Sequence, residues 1–290
     1  MKDELARAEL PREVSGGIAK VRKRLHSFGT DVFRGNSLYE PAMHLIRNNG
    51  KFMRPTLVLM GAQIMGRNTD DFVDIAAAAE LLHVSSLIHD DIVDGDRKRR
   101  GVDAVHVKYG SETAILAGDA LISKAIGLSA RYGGEVMRLI SDATMDMCAG
   151  EVLDYRYQNE KKIPGLAEYE RIARLKSASL IAACCSIAAV YVRNRTAAKK
   201  LYAFGECAGL AFQMRDDITD FSASGKKRHA DMYRPNIVAT LMKNSSLSES
   251  EAAAKASGLN NKYIDAAVRS IGSIKGSDSA IKYANRIRVR

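Results

Sequence analysis

The chain has 290 residues, 46% of them hydrophobic, which is enough for a sizeable buried core, and it carries no Trp and a net charge of +10. A basic balance suits anionic partners such as nucleic acid, acidic lipid or phosphorylated small molecules, but the bases are spread along the chain and none of their runs reads as a nucleic-acid tail. The four cysteines (Cys148, Cys184, Cys185, Cys207) lack CxxC spacing, which points to buried thiols in a reducing compartment.

The N-terminal MKDELARAELPREV is charged and has no apolar centre, so no secretory signal is expected. No apolar run reaches the roughly 18 uncharged residues that span a bilayer. The expectation is a cytoplasmic protein with no transmembrane segment and no nucleic-acid partner. Periodicity and caps then predict helices over 11–27, 37–49 (closed by Gly50), 55–65 and 70–94, the last capped by Asn68 or Thr69. A basic loop with Gly95, Gly101 and Gly110 follows. Further helices are predicted over 111–130, 134–157, 166–191, 196–221, 231–243, 249–257, 260–271 and 277–288, with Ser248 and Glu251 forming a capping-box pattern. Alanine-rich runs such as DIAAAAELL favour helix, and no alternating run bounded by hairpin turns indicates strand. The fold class is therefore all-α, and without a Pro/Ser-rich linker residues 1–290 read as a single domain.

Two acidic clusters interrupt this pattern: HDDIVDGDRKRRG at 89–101 and DDITD at 216–220. On a helix, Asp90 projects with Asp94 and Asp216 with Asp220, because residues four apart share a face. Either cluster alone could be a solvated helix end. Both, however, follow long apolar stretches, and both sit near a helix C-terminus, where the helix dipole disfavours anions. Neutralisation by bound cations accounts for the repetition. Mg²⁺ suits a few carboxylates best, because it keeps several waters and shares its remaining positions with phosphate oxygens. Neither cluster has the spacing of a calcium loop, and His83 and His89 are badly spaced for zinc. Cations accompany the acids: Arg99 and Arg100 just past the first cluster, Lys51 and Arg54 in GKFMRP, and Lys176 beside Ser177 in KSASL. Guanidinium groups suit bidentate phosphate contact.

These residues together resemble the trans-isoprenyl diphosphate synthases, or polyprenyl synthetases. GKFMRP resembles the family's GKxxRP. LLHVSSLIHDDIVDGDRKRRG resembles the first aspartate-rich motif with its trailing RRG, KSASL the lysine–hydroxyl pair, and FQMRDDITD the second aspartate-rich motif. The resemblance runs over essentially the whole chain. It implies an isoprenoid-synthase-type helical bundle around a central cavity, usually a homodimer, with the two motifs facing each other across its mouth. It assigns Mg²⁺ on an allylic diphosphate to Asp90, Asp94 and Asp216, with Asp91, Asp217 and Asp220 auxiliary. Arg99, Lys176, Ser177 and Gln213 would grip that diphosphate, and Lys51, Arg54, His83 and Arg100 would hold isopentenyl diphosphate. Read without the resemblance, His83 is a core histidine bonded to backbone.

Some features depart from the family. Glu151 in GEVLD stands where many members have Gln, Ser177 where Thr is commoner, and the loop after Asp220 is short, so that Lys226 or Lys227 takes the place of its usual lysine. Ser85, Ser86 and Ala120 are small at positions that limit product length, which predicts an open floor and a product of about twenty carbons or more. Two rival readings are a non-catalytic partner subunit and a terpene cyclase. The cyclase's mixed second metal motif does not match DDITD.

Overall fold

The computed structural model describes residues 10–33, 37–48, 50–223 and 233–289, with backbone alone at 29–33 and 223. The described residues are almost wholly helical, as expected from sequence. The chain forms two compact units, Met1–Ile140 with Ile187–Asn194, and Ser141–Ser186 with Arg195–Arg290.

The first unit holds α1 (Arg12–Phe33), α2 (Tyr39–Arg47), α3 (Met53–Ile64), α4 (Val73–Val93), α5 (Val105–Tyr109), α6 (Ser111–Ser129) and the start of α7 (Gly134–Asn159). Its centre is α4, which packs against α1, α3 and α6. Ala76 to Ala79 are fully buried, as are Ile75, Val84 and Ile88. A helix apolar on all sides belongs inside a fold, and the alanine run lets its neighbours approach closely. Asn68 starts this region as expected, its Oδ1 accepting from the Asp70 N–H at 3.0 Å. Gly95, at φ 67°, ends it. The Asp96 N–H then bonds Asp91 O at 3.0 Å, a Schellman-type closure.

The second unit holds the rest of α7, then α8 (Leu166–Ala173), α9 (Ser179–Tyr191, to Ser186 in this unit), α10 (Arg195–Ala223), α11 (Ile237–Ser245), α12 (Glu249–Ile271) and α13 (Asp278–Asn285). The long α10 packs on α12. Two glycines set its approach to α9 and the turn before it. A Cβ at Gly205 would lie 2.6 Å from Ala182 Cα, and one at Gly209 2.6 Å from Ala178 Cα. The capping box at Ser248 and Glu251 is present.

Several expectations are corrected. The basic loop contains a two-stranded hairpin, β1 (Lys98–Arg99) and β2 (Val102–Asp103), turned by Arg100 and Gly101, both at positive φ. Strands of two residues leave no alternation to read. The segment Val105–Tyr109, expected to be loop, is helical. The helix predicted over 166–191 is interrupted by a π-helical turn, Arg174–Ala178. The two helices predicted at 249–257 and 260–271 are one, because Asn260 is fully buried and its Nδ2 donates to Ala211 O at 2.7 Å, tying the helix to α10 past Gly258. The helix predicted from 231 begins at Ile237, where Asn236 caps it. Finally, Thr69–Val93, Ser111–Tyr132 and Leu166–Tyr191 are long and apolar enough to cross a membrane by length and composition, against the expectation of none. Burial inside the fold takes up 67% of the apolar window in the first and 78% in the third, but only 39% in the second.

Candidate active site

In the first unit, α4 carries Glu80, His83, Ser85, Asp90 and Asp91, with Asp94 as its C-cap. The acid cluster separates by depth. Asp90 and Asp94 are partly exposed, whereas Asp91 is fully buried. The Arg99 Nε donates to Asp91 Oδ1 at 2.6 Å, and its Nη2 to Asp96 Oδ2 at 2.9 Å. Burial raises the Asp91 carboxyl and the Arg99 guanidinium opposes that rise. Asp91 thus braces the hairpin through Arg99. Arg99, expected on diphosphate, is held by the two carboxylates.

The tight turn sends Arg100 in another direction. Its Nη1 donates to Leu45 O at 3.0 Å, and its Nη2 lies 3.5 Å from Glu80 Oε1. Glu80 is 3% exposed at the side chain. Gly50 leaves room for both tips, since a Cβ there would stand 2.9 Å from Glu80 Oε1 and 3.0 Å from Arg100 Nη1. After Gly50 the chain passes through exposed Lys51 and left-handed Phe52 into α3, whose first turn buries Arg54. His83 lies one turn from Glu80. Burial, with Arg54 and Arg100 nearby, holds its pKa well below the usual value, so the ring is neutral. Arg54 and Arg100 therefore frame a cationic corner beside the neutral His83, with Glu80 at its base and Lys51 next to Gly50 in the chain. Beyond them Ser85 is buried, its hydroxyl without a partner among the described residues, and the Ser86 Oγ donates to His83 O at 2.9 Å. Gly118 lets α6 approach beside the acids, because a Cβ there would overlap the His89 ring.

The second unit repeats the separation by depth. Asp216 is partly exposed and Asp220 exposed, while Asp217 is buried. Asp217 accepts from the Tyr169 hydroxyl at 2.7 Å, Gln213 Nε2 at 2.7 Å and the Ile237 N–H at 3.0 Å. Burial pushes its pKa up to about 7 against the pull of those donors. With its oxygens so occupied, Asp217 braces α8, α10 and α11. Gln213 Oε1 in turn accepts from Ser177 Oγ at 2.5 Å. Ser177 and Lys176 sit on the π-helical turn, a local widening that re-aims side chains. α7 packs directly on that turn, since a Cβ at Gly150 would fall 2.4 Å from the Lys176 nitrogen. Lys176 pairs with Asp154 and, at 2.7 Å, with Glu151. Lys226 lies outside the described residues.

Each unit thus gathers its own set of the expected residues. Sequence reasoning missed three that hold them. Glu80 gave a signal, being a lone carboxylate inside AAAAELLH. Asp154 gave a weaker one, three residues after Glu151. Tyr169 gave none. Among the described residues no group of three or more His, Cys, Asp or Glu side chains is placed to hold a metal ion by itself.

A sequence profile of polyprenyl synthetases matches residues 35–267. The chain belongs to the polyprenyl synthetase family. Among its relatives, a geranylgeranyl diphosphate synthase of Methanosarcina mazei is 36% identical over 212 residues, which are 69% of this chain and 65% of that protein. The chain thus spans just under two thirds of that relative's length. A geranylfarnesyl diphosphate synthase of Natronomonas pharaonis is 35% identical over 228 residues, 69% of this chain and 67% of that one. A geranylgeranyl pyrophosphate synthetase of Geoglobus acetivorans superposes with a TM-score of 0.87 over 96% of this chain and 99% of that one, at 24% identity, which shows the shared fold. The matched residues include the cationic corner of the first unit and the π-helical turn of the second.

Proposed function

We propose that the chain is a prenyltransferase that joins isopentenyl diphosphate to an allylic diphosphate, giving a trans-polyprenyl diphosphate of about 20 to 25 carbons. The product length follows the names of the two relatives and the small Ser85 and Ser86 on α4. One observation carries the reading. Two separate sets of basic and polar side chains, Lys51, Arg54, His83 and Arg100 in one unit and Lys176 with Ser177 in the other, each accompany a pair of aspartates four residues apart that reach the surface.

The donor set fits Mg²⁺. It consists of hard carboxylate oxygens, which suit an ion that keeps several waters and shares its remaining positions with phosphate oxygen. Asp90 with Asp94 would offer it carboxylates in the first unit, and Asp216 with Asp220 in the second. When bound, the metal supplies Lewis-acid stabilisation of the departing diphosphate. The protein's own groups do the rest. Lys176 and Ser177 orient the allylic diphosphate, and Lys51, Arg54 and Arg100 fix isopentenyl diphosphate. Neutral His83 offers a ring N–H as a donor to it. The apolar wall of α4, with Leu81, Leu82 and Ile88, keeps water from the allylic carbocation. A proton leaves the coupled product, and the released diphosphate is its acceptor. The protein works as a homodimer, a reading supported by the exposed Ile115, Leu116 and Ile126 of α6.

The test is incubation with isopentenyl diphosphate, each allylic primer and Mg²⁺, followed by product sizing. The expected outcome is chain extension to 20–25 carbons, at the order of length set by pocket size, and a shorter product for Ser85→Phe. No elongated product with any primer would establish the alternative, a non-catalytic partner subunit.

A further inference from the structure

α7 sets Glu151 and Asp154 three residues apart, and both carboxylates reach one ammonium. Lys176 Nζ lies 2.7 Å from Glu151 Oε2 and also bonds Asp154 Oδ2. The two acids differ in depth. Asp154 is 6% exposed at the side chain and Glu151 18%, with Lys176 between them at 23%. Asp154 is the buried brace, and Gly150 brings the backbone of α7 against the turn that carries the lysine. One carboxylate is enough to aim Lys176. A second leaves the trio with one net negative charge, two carboxylates against one ammonium. The neighbouring Ser177 and Gln213 are neutral and bonded to each other.

An anion approaching Lys176 therefore meets a compensated cation. We propose that Glu151 is a specificity-determining residue that competes with the allylic diphosphate for Lys176 and so loosens the enzyme's hold on that substrate and on the diphosphate it releases. The inference rests on the reading that Lys176 receives the allylic diphosphate. Glu151→Gln tests it, because the amide keeps the shape and one acceptor oxygen while removing the charge, and Asp154 still braces the lysine.

Two measurements are made on the full chain: steady-state constants for each substrate, and calorimetric titration with inorganic diphosphate in the presence of Mg²⁺. The expected result is a fall of roughly three- to tenfold in the KM for the allylic diphosphate and in the Kd for inorganic diphosphate, the size of one partly screened ion pair. The KM for isopentenyl diphosphate, the Mg²⁺ dependence and the melting temperature stay at the wild-type values. Glu151→Ala shifts both constants in the same direction. Unchanged or weaker diphosphate binding by both variants overturns the inference. So does a raised Mg²⁺ requirement, which would make Glu151 a helper in cation binding. A wild-type chain that elongates no primer sinks the catalytic reading instead, and the titration still decides whether Glu151 opposes diphosphate.

Discussion

Glu80 is surrounded by cations in a nearly dry place. Its carboxylate faces Arg100 at 3.5 Å, and the Arg54 and Arg22 charges also favour its ionised form against the burial that raises its pKa. Removing one partner of a buried ion pair leaves the other uncompensated, at a cost of about 3 kcal/mol. Glu80→Gln should therefore lower stability to urea by about that amount. It should also raise the KM for isopentenyl diphosphate while leaving the allylic KM alone, because Arg100 loses its anchor. A KM that falls instead would mean that Glu80 only dilutes the positive field. His83 gives a pH prediction at the same scale. Its folded pKa lies well below its ordinary value near 6.5, so the unfolded chain binds the proton more readily than the native one. Native stability is then fully held above pH 6.5 and declines as the pH falls from there toward the depressed folded pKa. Urea unfolding at pH 7.5 and 5.5 should show a loss in the wild type that is smaller in His83→Gln.

Elements show where sequence was a sufficient guide and where it was not. The helices and the spacing of Asp90 with Asp94 and of Asp216 with Asp220 were legible, because a 3.6-residue repeat needs only local pattern. The inward turn of Asp91 and Asp217 was not. Each depends on a partner from elsewhere, Arg99 from the hairpin and Tyr169 from α8. The π-helical turn was invisible for the same reason. KSASL continues a helical pattern, and only the contact with Gly150 on α7 shows how tightly the widened turn is held. Gly258 misled in the opposite sense. It reads as a break, yet α12 runs through it because the helix is fixed by Asn260 and by buried Ala252, Ala256 and Ile264. Two glycines in helices should thus respond oppositely to alanine. Gly209→Ala drives a methyl to 2.6 Å from Ala178 Cα, and such overpacking costs about 1–3 kcal/mol. Gly258→Ala meets nothing within 4 Å and should stabilise by about 0.5–1 kcal/mol through helix propensity. Thermal unfolding of the two variants checks both signs.

For the molecule as a whole, α6 raises the question of what covers it. Ile115, Leu116 and Ile126 are 46%, 56% and 49% exposed, on a helix apolar enough in composition to enter a membrane. Large apolar side chains exposed to this degree on one helix suit an interaction site. Asp119 on the same helix is 61% exposed at its side chain, and a carboxylate among the apolar residues disfavours a lipid interior while tolerating a wet protein interface. A second copy of the chain is the occupant we propose. A net charge of +10 on each copy makes the pair repel at long range, so salt should strengthen the association by screening. Light scattering of the wild type should give twice the chain mass at micromolar concentration and a tighter dimer in 0.5 M than in 0.05 M salt, on either side of the roughly 10 Å screening length at 0.1 M. Leu116→Asp with Ile126→Asp should yield a folded monomer with an unchanged helical circular dichroism signal. A wild type that is monomeric in solution and floats with anionic lipid vesicles would assign the stripe to a membrane surface instead.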